Sequence, residues 1–90
     1  MILTVRKKPI VVEAVEWTGK NWDELEEWAP FGLTHQRNIG DVKDVIIVDT
    51  LEGKMTCCIG DLIIKGVEGE FYPIKKRIFN DTYEIVAEGR

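Results

Sequence analysis

Ninety residues, 44% of them hydrophobic and 31% charged, leave room for one core and no second, so residues 1–90 read as a single globular domain rather than a disordered chain. A net charge of −4 repels phosphate backbones and argues against nucleic acid as a partner. The opening run Met1 to Val12 is too briefly apolar for a signal peptide or a membrane span, and one pair of cysteines with no others suits a reducing compartment, so the expectation is a protein of the cytoplasm. A chain this short buries only roughly 60 to 65% of its unfolded surface, so shared hydrophobic surface between copies, and hence a homo-oligomer, is expected.

Taken in chain order, Ile10 to Trp17 (IVVEAVEW) alternates as a strand with two largely apolar faces, opened by Pro9 and ended by Gly19. Asn21 then starts a helix of about two turns. Glu24 completes a capping box, Asp23 adds negative charge near the positive end of the helix dipole, and Trp22, Leu25, Trp28 and Ala29 form the buried stripe. Pro30 and Gly32 stop the helix. Leu33 to Lys43 has no sustained period and carries the turn formers Asn38, Gly40 and Asp41, which predicts a surface loop. Val45 to Thr50 and Lys54 to Ile59 are two strands joined as a hairpin, with Gly53 in the left-handed position. Gly60-Asp61 turns into the strand Leu62 to Lys65, and Gly66 to Gly69 turns into the strand Glu70 to Ile74, where Pro73 requires an edge position. Lys75 to Asn80 reads as one helical turn presenting Ile78 and Phe79 to the core, and Thr82 to Val86 as a last strand. The predicted fold is α+β: a small, mainly antiparallel sheet of five to six strands, one helix in the N-terminal half and a short C-terminal helical turn.

Candidate chemistry is sparse. Cys57 and Cys58 are adjacent on a strand and point to opposite faces, so neither a bridge nor a shared metal is expected, and one of them belongs in the core. His35 is the only histidine and lacks neighbours at ligand spacing, which makes it a loop residue rather than a zinc ligand. Asp49, Glu52 and Lys54 resemble the acidic-acidic-lysine set of a metal-dependent hydrolase, but Glu52 and Lys54 flank a turn glycine and point to solvent. Gly60, Gly66 and Gly69 are turn glycines, since no helix begins directly after them to bind phosphate. Among Trp17, Trp22 and Trp28, core packing accounts for at least two, and an exposed third would mark an interface. Two basic clusters remain, Arg6-Lys7-Lys8 and Lys75-Lys76-Arg77. Cations beside an aromatic ring are what an anionic nucleotide needs, which makes Arg6, Tyr72, Lys75, Lys76 and Arg77 the candidate ligand-binding residues. The competing reading of both clusters is a solvated charged surface.

Several blocks in fixed order cover most of the chain: Arg6 to Gly19 (RKKPIVVEAVEWTG), the Thr50 to Gly53 turn (TLEG), Gly60 to Pro73 (GDLIIKGVEGEFYP), and Ile78-Phe79 followed by Thr82-Tyr83-Glu84. In these the chain resembles a family of small uncharacterised proteins encoded by tailed bacteriophages and prophages. The resemblance implies a phage origin and work in the bacterial host cytoplasm, and it brings no catalytic residues with it. Members of that family often carry a cysteine after the Tyr-Pro pair. Here the position is Ile74, so no redox or metal role is assigned to it.

With no catalytic residues, metal or cofactor expected, the sequence points to a non-enzymatic binding protein that sequesters an anionic small molecule or inhibits a host factor. The alternative is a structural or assembly accessory that contacts a phage or host protein. A metal-dependent hydrolase using Asp49 and Glu52 ranks last.

Overall fold

A computed structural model describes residues 1–37 and 44–89. Its elements in chain order are β1 (Glu13–Glu16), α1 (Trp22–Trp28), β2 (Leu33–Gln36), β3 (Val45–Thr50), β4 (Gly53–Cys58), β5 (Leu62–Lys65), β6 (Phe71–Ile74) and α2 (Lys76–Thr82). All strand pairs are antiparallel and fall into two three-stranded sheets, ordered β1-β5-β6 and β2-β3-β4. This is the α+β, mainly antiparallel fold that the alternating segments predict.

Each sheet is built around a run of apolar or β-branched residues. In the first sheet the central strand is β5, where Leu62, Ile63 and Ile64 are all buried because both faces are covered. In the second it is β3, whose Ile46 and Val48 are fully buried while Val45 and Ile47 on the other face are half-buried. Pro73 lies on β6, an edge strand, where its missing N–H costs no ladder bond.

The core lies between the two sheets. Trp17, Leu25, Ile46, Val48, Cys57 and Ile63 form its buried centre, with Val15, Trp22, Trp28, Leu33 and Phe71 packed around them. At roughly 25 cal/mol per Å² of apolar area, Trp17 is the largest single contributor among these side chains. α2 and the residue after it are tied by side chains to the opposite face of the first sheet, which carries Leu62, Ile64 and Tyr72. Lys76 reaches Glu16 at 3.1 Å, and the hydroxyls of Tyr72 and Tyr83 meet at 3.3 Å.

Five expectations are corrected. Leu33 to Gln36, read as loop, is strand β2, pairing Leu33 with Val48 and His35 with Ile46; its half-buried/exposed alternation was present but only four residues long. The turn formers Asn38, Gly40 and Asp41 lie outside the described residues. The first strand is shorter than Ile10 to Trp17, because β5 ends at Lys65 and the register Glu13↔Lys65 leaves residues 10–12 beyond its partner. Asn21 stands at the helix start without capping it. Its Oδ1 accepts from the backbone N–H and hydroxyl of Thr18 at 2.9 and 3.0 Å, and its Nδ2 donates to Glu16 O and Glu24 Oε1 at 2.7 and 2.9 Å. The C-terminal helical turn is a seven-residue helix with no buried residue. In it Ile78 is exposed and Phe79, half-buried, stacks on Tyr83 at 5.2 Å instead of entering the core. Finally, Thr82 closes that helix, and Tyr83 to Val86 pair as a strand with none of the described residues, leaving Ile85 and Val86 exposed. An alternating pattern makes a strand only where a neighbouring edge accepts its hydrogen bonds.

Candidate binding surface

The two sheets part at one end of the core. On β4 the core-facing positions run from Cys57, fully buried, to Met55, which is 45% exposed, so the β3–β4 hairpin extends past the core it starts from. Gly53 makes this reach possible, since the two-residue turn Leu51-Glu52 needs its φ of +109°. Opposite the hairpin stands the β5–β6 turn. At its Gly66 the Glu70 carboxylate lies in the space a Cβ would take, so a side chain there would displace it, and Glu70 Oε1 also accepts the Glu68 N–H at 3.0 Å.

Between these turns lie two adjoining concavities of about 430 and 370 Å³ that share Thr50, Leu51, Glu70 and Phe71. Trp28, Pro30 and Phe31 wall the first, while Met55, Tyr72 and Pro73 wall the second. Phe31 and Leu51 are each 82% exposed, so the groove offers large apolar side chains to solvent. Its rim carries Asp49, Glu52 and Glu70 against one lysine, Lys65, whose ammonium sits 6.0 Å over the Phe71 ring. Trp28 is held in place by an edge-to-face contact with Phe71 at 5.3 Å and by donating Nε1–H to Glu13 Oε1 at 2.9 Å.

The basic residues singled out in the sequence lie elsewhere and are partly neutralised. Lys75 donates to Asp61 Oδ2 at 2.9 Å, which raises its pKa through that hydrogen bond and the carboxylate's charge. Lys76 is paired with Glu16. Arg6 and Arg77 are exposed, and among the described residues neither forms an ion pair with a carboxylate. Tyr72 is joined to Tyr83, and its phenol is pushed up to about 12 by burial, the Tyr83 hydrogen bond and the nearby charges of Tyr83 and Glu70. Lys7, from the first cluster, stands 5.7 Å from the Tyr83 ring centre. The N-terminal cluster therefore approaches the Tyr72–Tyr83 pair, while Lys75 and Lys76 are drawn to Asp61 and Glu16.

Asp61 was not singled out in the sequence, yet it joins four segments. Its side chain accepts the Cys58 N–H at 3.0 Å as well as Lys75, its carbonyl accepts the Trp17 N–H at 2.9 Å, and its own N–H donates to Cys58 O at 2.9 Å. The signal available was an acid beside a turn glycine, a common turn signature that does not disclose burial. Asp49 and Lys54 pair across the hairpin at 2.6 Å while Glu52 lies at its tip, so the three do not converge on a common point. Among the described residues, no group of three or more His, Cys, Asp or Glu side chains is placed to hold a metal ion.

Cys57 is buried and Cys58 exposed, and neither is bridged. Burial, aided by the charges of Asp61 and Cys58, pushes the Cys57 thiol up to about 12, so it is no nucleophile at neutral pH. His35 is no loop residue. Its ring lies 5.1 Å from Trp17 and 5.4 Å from Trp22, and its buried Nε2 has no hydrogen-bond partner among the described residues, with Asp44 Oδ1 3.9 Å away. No helix among the described residues is long and apolar enough to cross a membrane.

Comparisons of this chain with protein-family profiles, curated proteins and solved structures give no match.

Proposed function

We infer that this is a non-enzymatic binding protein of phage or prophage origin, acting stoichiometrically in the host cytoplasm on a polypeptide partner. The observation that carries the reading is the groove between the β3–β4 hairpin and the β5–β6 turn: apolar walls from Phe31, Leu51, Met55 and Phe71, with carboxylates along the rim. Such a surface suits an extended segment with apolar anchors and basic flanks, because the anchors gain from burial and the flanks from charge complementarity. It disfavours an anion, which would meet Asp49, Glu52 and Glu70.

Trp28 lines the groove and reports on its occupation by fluorescence. Titration with a panel of peptides combining apolar and basic residues should give saturable signals that Leu51→Asp abolishes. No saturation by any peptide, or multiple turnover of a substrate by purified protein, would refute the reading.

A second reading is favoured by one contact. Lys7 over Tyr83, beside Tyr72, places a cation on an aromatic pair, as an anionic nucleotide would require, with Arg6 and Arg77 available to phosphate and Lys75 and Lys76 already committed. Calorimetry against a nucleotide panel tests it. Heat that disappears in Lys7→Ala would support it, and no heat would eliminate it.

A further inference from the structure

The N-terminal segment has the chemistry that the groove asks for. Ile2, Leu3 and Val5 are 97%, 66% and 80% exposed, and Arg6, Lys7 and Lys8 follow them directly. Ile2 to Val5 is a strand-forming stretch that has no strand partner among the described residues.

Two whole-molecule quantities indicate that such surface is in excess. A folded monomer of this mass, 10.3 kDa, exposes about 5,400 Å². This chain exposes 7336 Å², about 2,000 Å² more. Its radius of gyration is 14.3 Å where a compact chain of this length has about 12 Å. The surplus exceeds the roughly 800 Å² that each partner contributes to a standard protein–protein interface.

Charge selects the occupant. Lys54 already answers Asp49 at 2.6 Å, which leaves Glu52 and Glu70 on the rim for incoming cations. The arm supplies three in succession. Within one chain Lys7 stands 5.7 Å from its own Tyr83 ring centre, a contact that docking of the arm elsewhere replaces, and residues 2–5 project beyond it.

We propose that the groove between the β3–β4 hairpin and the β5–β6 turn receives the N-terminal arm, Ile2 to Lys8, of a second copy of this chain, so that two copies associate by exchanging arms. This rests on reading the groove as a polypeptide-binding site and names its occupant. Ile2, Leu3 and Val5 bury against Leu51, Met55 and Phe71, and the basic residues lie along Glu52 and Glu70. The exchange is reciprocal, which closes the assembly at two.

Sedimentation of the full-length chain across a concentration series tests the proposal. The wild type should dimerise, and Val5→Asp in the arm or Leu51→Asp in the groove should each weaken self-association by at least about tenfold. Lys8→Glu and Glu52→Lys should each weaken it alone and restore it when the two variants are mixed. A synthetic peptide of residues 2–8 should bind the Val5→Asp protein saturably, with a change in Trp28 fluorescence. A wild type that stays monomeric at high concentration, or a dimer indifferent to both aspartate substitutions, would overturn the proposal. If that peptide fails while other apolar-basic peptides still bind, arm exchange falls and the groove reading stands. If no peptide binds, both fall.

Discussion

The core between the two sheets and the terminal segments are rich in the same side chains, yet their fates differ. Trp17, Ile46, Val48 and Ile63 are fully buried, whereas Ile2, Val5, Ile85 and Val86 stand 66% or more exposed. Hydrophobicity and strand propensity are similar in the two sets. The difference is that each core residue sits on or beside an element with a hydrogen-bonded neighbour or a facing sheet, while the terminal segments have neither among the described residues. Apolar sequence supplies the driving force, and burial follows only where the backbone groups it carries are also satisfied.

The sharpest way to break this contrast is to remove a core side chain. Trp17→Ala should cost about 3–5 kcal/mol, read as a large drop in urea midpoint, since it empties the centre of the buried cluster. Next comes Asp61→Ala, expected to cost about 1–3 kcal/mol in the same measurement because it leaves the Cys58 N–H without its acceptor.

Alkaline pH probes the same core from another direction. An unfolded thiol ionises near pH 9.0, but Cys57 keeps its proton to about 12. Between those values the folded state binds more protons than the unfolded one, so stability is intact below pH 9 and declines as pH rises through the window. Tyr72, raised from 10.0 to about 12, acts in the same sense from pH 10 upward. Urea midpoints at pH 8 and pH 11 should therefore differ less in Cys57→Ala than in the wild type. A thiol reagent at neutral pH should modify Cys58 in the folded protein and reach Cys57 only after unfolding.

On the exposed side the expected losses are small. Lys54→Ala removes a pair whose side chains are 73% and 54% exposed, and should shift stability by less than about 1 kcal/mol. Smallest of all, Ile85→Ser should change stability, read from the urea midpoint, by no more than about 0.5 kcal/mol, because that side chain is 66% exposed. A loss comparable to that of Trp17→Ala would erase the distinction between the two regions.

Local chemistry made most of the elements legible. Gly53 with its φ of +109°, Pro73 on an edge strand, the apolar run Leu62-Ile63-Ile64 and the helical stripe around Leu25 each carry their reason in one to eight neighbouring residues. The candidate groove was not legible in the same way. Its walls come from the α1–β2 connection, the β3–β4 hairpin and the β5–β6 turn, and no local pattern states that Phe31, Leu51 and Phe71 will share one depression. The basic residues were legible as cations but not as partners, since Lys75 and Lys76 find Asp61 and Glu16 across 14 and 60 positions of chain.

The sequence by itself determined the α+β class, the antiparallel pairing of adjacent segments, the turns and the split fates of Cys57 and Cys58, because each depends on backbone dihedrals and side-chain alternation over a few residues. Only the tertiary structure decided that Leu33 to Gln36 is a strand, that Asp61 joins β1, β4, β5 and the start of α2, and that the alternating segment Tyr83 to Val86 goes unpaired. The physical reason is common to all three: a hydrogen-bonding group is satisfied by whatever lies opposite it in space, and spacing along the chain does not say what that will be.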